Sequence, residues 1–236
     1  MSKTFDLIIP CFNPRLGWEK TVIDAVADIE LQLGQDILTE IFVVDDGSTE
    51  GFSAQTESLL WKANSKFIVL TISPNKGKGN AVRTGVLASS SAIQIYTDID
   101  FPYLNSHVVQ FYNKLNIGEA DIIVASRGSS YYEALSPFRK VLSRSMQTIN
   151  KRIFSLAVSD TQGGLKGFNA RGREVFLQTS IQRYLFDLEF VQKATRAKLH
   201  ILPVEVKLKN EINLPTPSFG ILVRELANLF RILFRF

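Results

Sequence analysis

The sequence predicts an α/β fold, a mostly parallel sheet with helices on both faces. Three observations predict it. Short apolar, β-prone runs recur at 5–9, 40–44, 67–70, 92–96 and 121–125, with helical periodicity between them, the alternation that builds parallel βαβ units with right-handed crossovers. The 92–96 run is apolar and β-prone, as in strands covered on both sides. The polar clusters Asn13, Asp45/Asp46, Lys76/Lys78 and Asp98/Asp100 all follow strand ends. In a parallel sheet those ends share one rim, where open α/β sheets bind ligands.

The elements follow in order. A first strand at 5–9 meets Pro10, and 10–14 reads as a loop. Val22, Ile23, Val26, Ile29 and Leu33 fall at helical spacing within 18–33, and Gly34 stops that helix. The second strand ends at Asp45-Asp46-Gly47-Ser48, and a helix over about 52–63 leads to the third. The basic loop 73–80 precedes a helix at 81–90 that carries Arg83. The fourth strand ends in Asp98 and Asp100, which project from one side if the chain is extended there. A helix at 104–115 and the strand at 121–125 follow. Ser136-Pro137 then opens a helix to about 157, and 160–168 is a glycine-rich turn with a short strand. Helices begin near Arg171 and Leu185, and Pro203 marks 201–206 as an edge strand. Residues 1–213 are expected to form one domain, with the Leu214–Pro217 linker opening a helical tail over 214–236.

Composition bounds the function. The 236 residues are 45% hydrophobic and 21% charged, enough for a large core. A net charge of +4 suits anionic partners such as nucleotides, phosphorylated lipids or a membrane surface. The single Cys11 excludes an internal disulfide and reads as a small apolar filler. No run approaches the roughly 20 apolar residues of a membrane span, so a soluble or peripheral cytoplasmic protein is expected. No nucleic-acid partner is expected.

The rim residues carry the chemistry. Asp98 and Asp100 suit a hard divalent cation, which takes one or two carboxylates and fills its other positions with phosphate and water. The alternative is a pair of solvated turn carboxylates. Asp46 can accept from a base or ribose, or can close an Asx turn. The Gly77-Lys78-Gly79 loop can cradle phosphate with backbone N–H groups and its lysine, yet lacks P-loop spacing. Arg139 and Ser143, four apart on one helix face, can grip a second phosphate with Arg127, or can form a solvated face. Asp187 and Glu189 read as a base- or sugar-binding pair, or as carboxylates favoured at a helix N-terminus.

Together these motifs resemble the family-2 glycosyltransferases, and within them the polyprenyl-phosphate (dolichyl-phosphate) hexosyltransferases. Ile8-Ile9-Pro10-Cys11-Phe12-Asn13 resembles the family's V-I-P-x-Y-N, and Val44-Asp45-Asp46-Gly47-Ser48 its V-D-D-G-S. Asn75-Lys76-Gly77-Lys78-Gly79 with Arg83, then Asp98-Ile99-Asp100, follow in family order. Asp160-Thr161-Gln162-Gly163-Gly164-Leu165-Lys166 and Phe186-Asp187-Leu188-Glu189 complete the set. The resemblance implies a Rossmann-like GT-A fold and inverting transfer from a UDP- or GDP-sugar with Mg²⁺ or Mn²⁺. It implies that Pro10, Phe12, Val44 and Asp46 surround base and ribose, with Lys78 and Ile99 also on the donor. Asp98 and Asp100 would hold metal and diphosphate. Lys166 would meet the diphosphate or sugar, and Arg127, Arg139 and Ser143 the acceptor phosphate. Asp187 would be the base if the acceptor were a hydroxyl. Two departures stand out: Pro14 replaces a frequent Glu, and Pro102 replaces the Gln of the mannosyl members. The second leaves the metal with two protein ligands and weak binding without donor.

The tail from 219 to 236 spaces Arg224, Arg231 and Arg235 along one flank of an apolar helix. Such a helix suits a membrane surface, and hence a polyprenyl phosphate acceptor. Packing on its own domain, on a twin subunit or on a small membrane subunit is the alternative. Two further functions stay open, extension of a soluble or lipid-linked glycan and a catalytically silent nucleotide-sugar binding subunit.

Overall fold

The computed structural model describes residues 3–128, 158, 160–161 and 163–209. Its centre is a seven-stranded sheet of β1 (Phe5–Cys11), β2 (Leu38–Asp45), β3 (Phe67–Thr71), β4 (Ile93–Tyr96), β5 (Ile122–Arg127), β6 (Lys166–Asn169) and β7 (Ile201–Val206). The described helices are α1 (Trp18–Leu33), α2 (Ala54–Ala63), α3 (Lys78–Ala88), α4 (Ser106–Asn116), α5 (Ala170–Leu177) and α6 (Phe186–Arg196).

The strand order is β3-β2-β1-β4-β6-β5-β7. β1 to β4 are parallel, as are β5 and β7, while β6 runs antiparallel to both of its neighbours. Successive strands step one way from β1 to β3, and β4 then lies on the other side of β1. The crevice beyond β1 and β4 is therefore the topological switch point, where sheets of this kind take ligands.

Side chains alternate across the sheet because successive residues of a strand point to opposite faces. Phe5, Leu7, Ile9, Ile41, Val43, Ile93 and Ile95 pack with α1 and α4 on one face. Ile8, Phe42, Val44, Tyr96, Ile122 and Val124 pack with α3, α5 and α6 on the other. Each face buries many full aliphatic and aromatic side chains, at about 1.5–3 kcal/mol for each.

Several sequence expectations shift here. β1 runs through Pro10 to Cys11 rather than stopping at Ile9. A central strand normally rejects proline because its nitrogen cannot donate. Pairing of β1 with β4 ends at Ile8, however, and only β2 accompanies Pro10, so the missing N–H leaves no gap in that ladder. α2 starts at Ala54 because the Ser53 hydroxyl accepts from Thr56 N–H and caps it. α3 starts early, at Lys78, behind Gly77 at φ 108°. β7 lies at the sheet edge, as Pro203 suggested. Asp98 and Asp100 do not lie in an extended strand end. β4 stops at Tyr96, and Phe101 N–H donates to the Asp98 carbonyl at 3.0 Å, closing a turn with Phe101 at φ 43°. The helix expected up to about 157 and the tail fall outside the described residues. Among the described residues no helix is long and apolar enough to cross a membrane.

Candidate active site at the carboxyl rim

Several loops meet at the switch-point crevice. The loops after β1 and β2 are tied together by Asn13, whose N–H donates to Ser48 Oγ at 2.8 Å and whose Oδ1 accepts from Thr49 N–H at 2.8 Å. Asp46 then fastens the loop before α3. Its Oδ1 accepts from Lys76 N–H at 2.9 Å and its Oδ2 from Gly77 N–H at 2.6 Å. The same loop leans on the 181–186 segment, where Asn80 N–H donates to the Gln182 carbonyl at 3.1 Å. Gly77 fits there because a Cβ would lie 2.6 Å from that carbonyl oxygen.

The result is α3 opening on the crevice at Lys78. Its ammonium pairs with the Asp98 carboxylate across the gap to β4. Burial opposes the charge on Lys78, but Asp98 and Asp187 outweigh it and raise its pKa. Asp98 Oδ2 lies beside Gly164, just ahead of β6, where an added Cβ would stand 2.0 Å from it. Asp100 is exposed as a residue, yet its carboxyl is raised from the usual range by partial burial and by the charge of Asp98.

Because β6 is antiparallel, its first residue, Lys166, returns to the same rim, level with Tyr96. Lys166 is fully buried. Its Nζ lies 2.8 Å from Asp187 Oδ1, donates to the Gly163 carbonyl at 2.7 Å, and stands 5.6 Å above the Tyr96 ring. The Tyr96 hydroxyl donates to the same Asp187 oxygen. Burial lowers the Lys166 pKa, and Asp187 works against that shift. Burial and the Asp187 charge push the Tyr96 phenol well up.

Asp187 and Glu189 do not form a pair. Residues two apart on a helix stand about 200° apart around its axis. Glu189 turns away to accept from Ser180 N–H at 2.9 Å and Ile181 N–H at 2.7 Å, which holds the 180–181 segment in place. Arg127, at the end of β5, is forked onto Asp160, with Nε and Nη2 each 2.7 Å from a carboxylate oxygen.

The other sequence-predicted residues divide clearly. Pro10 and Val44 are paired in register and buried, and the Val44 side chain packs among Ile8, Val82 and Val86, beneath the rim. Asp46 is buried as well, behind the loop it anchors. Phe12 is 50% exposed and stands at the rim, and Ile99 is partly buried in the turn. Arg139 and Ser143 lie outside the described residues, as does Gln162. Cys11 is buried with its thiol pushed up to about 12 by desolvation, a poor nucleophile.

Sequence reasoning did not single out Tyr96, Tyr103 or Asp160 as site residues. Tyr103 places its hydroxyl 3.3 Å from Gly164 N–H. Tyr96 did carry a signal, a hydroxyl in a strand otherwise suited to burial on both faces, since a buried phenol usually finds a partner.

Asp98 and Asp100 are the side chains that could hold a divalent ion. Among the described residues no cluster of three or more His, Cys, Asp or Glu side chains is placed to hold a metal. Two carboxylates in a turn, beside a helix N-terminus suited to phosphate, match an ion that draws its other ligands from phosphate and water. The glycine beside Asp98 leaves the carboxylate the room it occupies.

Comparison with known proteins agrees with this architecture. Glucosyl-3-phosphoglycerate synthase from Mycobacterium tuberculosis, in complex with Mn²⁺, UDP and glucosyl-3-phosphoglycerate, superposes with a TM-score of 0.69 at 19% identity, over 98% of this chain and 80% of that one. The shared fold is GT-A. A dolichyl-phosphate beta-glucosyltransferase of Dictyostelium discoideum is 25% identical over 242 residues, 98% of this chain and 74% of its own. The protein of that name from Homo sapiens is 25% identical over 221 residues, 87% of this chain and 67% of its own. With the crevice, its carboxylates and its basic helix start in place, and residues 6–176 matching the family model, the chain belongs to glycosyl transferase family 2.

Proposed function

We propose that this enzyme transfers a hexose, glucose before others, from a UDP-sugar to a polyprenyl phosphate. The observation that supports it most is the meeting of Asp98, Asp100 and Lys78 at the switch-point crevice of a chain whose relatives are named dolichyl-phosphate beta-glucosyltransferases. UDP is favoured over GDP because the neighbouring fold was crystallised with UDP.

Phe12 and the loops after β1 and β2 would receive the nucleoside. Lys78 and the first turn of α3 would receive the diphosphate. A Mg²⁺ or Mn²⁺ ion held by Asp98 and Asp100 would neutralise charge on the departing diphosphate. An oxygen of the acceptor phosphate attacks the anomeric carbon, the bond from that carbon to the diphosphate oxygen breaks, and UDP leaves with the electron pair. One in-line displacement inverts the configuration.

No proton needs to move. A phosphate monoester with a second pKa of about 6 is already ionised at neutral pH. The state of Asp187 favours this acceptor over a sugar hydroxyl. A carboxylate bound to the Lys166 ammonium and the Tyr96 hydroxyl is poorly placed to act as a base. Arg127, oriented by Asp160, would meet the acceptor phosphate together with Arg139 and Ser143. Lys166, buried against Asp187 and the Gly163 carbonyl, would support the floor of the donor pocket rather than meet the diphosphate or sugar itself. The basic stretch 219–236 would hold the 1–213 catalytic unit at the membrane surface.

The test is a transfer assay with purified protein, Mn²⁺, radiolabelled UDP-glucose and dolichyl phosphate. Label is expected in the organic phase, absent with Asp98→Ala, and weaker with GDP-mannose. Label passing only to free glycan, or none with either donor, would overturn the reading.

A further inference from the structure

Lys78 sits where a metal ligand should be open. Its ammonium holds Asp98 Oδ1, while Oδ2 of the same carboxylate occupies the space that a side chain at position 164 would take. The two side chains are only 21% and 34% exposed, so water screens the pair less than it screens a surface ion pair. A cation approaching Asp98 meets a fixed positive charge in its place.

The backbone around Lys78 is held from behind. Asp46 takes the N–H groups of Lys76 and Gly77, and Asn80 N–H reaches the Gln182 carbonyl. The side chain is held by the Asp98 carboxylate. It also starts at the N-terminus of α3, an eleven-residue helix whose positive end favours phosphate.

We infer that Lys78 is a built-in substitute for the metal ion, pairing with Asp98 until a nucleotide diphosphate at the start of α3 draws the ammonium away. This rests on the donor-site reading given above. The ammonium exchanges one anionic partner for another, and Asp98 Oδ1 becomes available as the diphosphate arrives. Metal and nucleotide then bind as a coupled pair, and the coupling is reciprocal. Metal alone binds weakly because it must first displace the lysine from its ion pair with Asp98.

Mn²⁺ binding followed by electron paramagnetic resonance tests this on the full chain without nucleotide. Lys78→Met is expected to bind Mn²⁺ roughly tenfold or more tightly than wild type, because a charge a few ångströms from the ion is gone. Lys78→Gln, a polar variant less disturbing to the helix start, is expected to show the same gain. Lys78→Arg, which keeps the charge, is expected to stay near wild type. Adding Asp98→Asn to Lys78→Met is expected to remove the gain. UDP is expected to tighten Mn²⁺ binding more in wild type than in Lys78→Met. Mn²⁺ held with UDP but with equal affinity for folded wild type, Lys78→Met and Lys78→Gln overturns the inference alone. Wild type that takes no Mn²⁺ even with UDP overturns the donor site and the inference together.

Discussion

Asp187→Ala is expected to lower the folding free energy by about 3–5 kcal/mol, the usual result of removing one partner from a buried ion pair. Lys166 and Asp187 are 2.8 Å apart with side chains 0% and 5% exposed. Without the carboxylate the ammonium keeps the Gly163 carbonyl and the Tyr96 ring, and the Tyr96 hydroxyl loses its acceptor. Against a typical total stability of about 5–15 kcal/mol the loss is large. Transfer should fall with it, because Tyr96 and Lys166 tie β4, β6 and α6 together under the proposed donor crevice. The variant should also acquire a pH dependence. Burial already lowers the Lys166 pKa, and Asp187 opposes that. With Asp187 gone the folded-state pKa falls further below the unfolded value near 10.4. Between those two values the unfolded chain binds more protons, so the stability of Asp187→Ala should rise with pH relative to wild type. Urea unfolding at pH 7 and pH 9 reads both effects. A double variant, Lys166→Met with Asp187→Leu, should recover much of the stability. A single Asp187→Ala variant as stable as wild type at pH 7 would show that the pair is not buried as described.

The second large effect is expected from one methyl group. Gly164→Ala places a Cβ 2.0 Å from Asp98 Oδ2 and 2.9 Å from its Cγ. The Asp98 side chain must leave its position, and its ion pair with Lys78 must shift with it. Transfer is expected to fall about 100-fold or more, the scale of losing one preorganised electrostatic group. The fold should suffer less, since a side-chain end can give way. Gly163→Ala is the contrast. Its Cβ would meet the Ala125 carbonyl oxygen at 2.4 Å, and that oxygen belongs to the β5 backbone. There the melting temperature should drop first. Initial rates and thermal melts of the two variants separate the roles. Wild-type transfer by Gly164→Ala would place Asp98 outside the chemistry.

Much of this was legible in the sequence, and the limits have physical causes. Hydrophobic periodicity located β1 to β4 and the helices between them, because a sheet covered on both faces needs apolar side chains at every position. The shared rim followed from parallel order alone. The direction of β6 did not, because a four-residue strand carries the same pattern whichever way it runs. That direction is what brings Lys166 to the rim. Extension through Asp98 and Asp100 was expected, but Pro102 and the positive φ of Phe101 turn the chain. Asp187 and Glu189 looked like a pair in sequence, and helix geometry points them to different partners. The Lys78–Asp98 ion pair joins residues from α3 and the β4 end across twenty positions, a contact that only the sheet order creates.

The crevice beyond β1 and β4 is expected to bind a sugar nucleotide through a cation at Asp98. Isothermal titration of UDP-glucose, with and without Mn²⁺, into wild type and Asp98→Ala measures it directly. Binding to wild type is expected to tighten strongly with Mn²⁺, and Asp98→Ala is expected to show no Mn²⁺ effect beyond that of the free nucleotide. Equal, Mn²⁺-independent affinity in both proteins would contradict it.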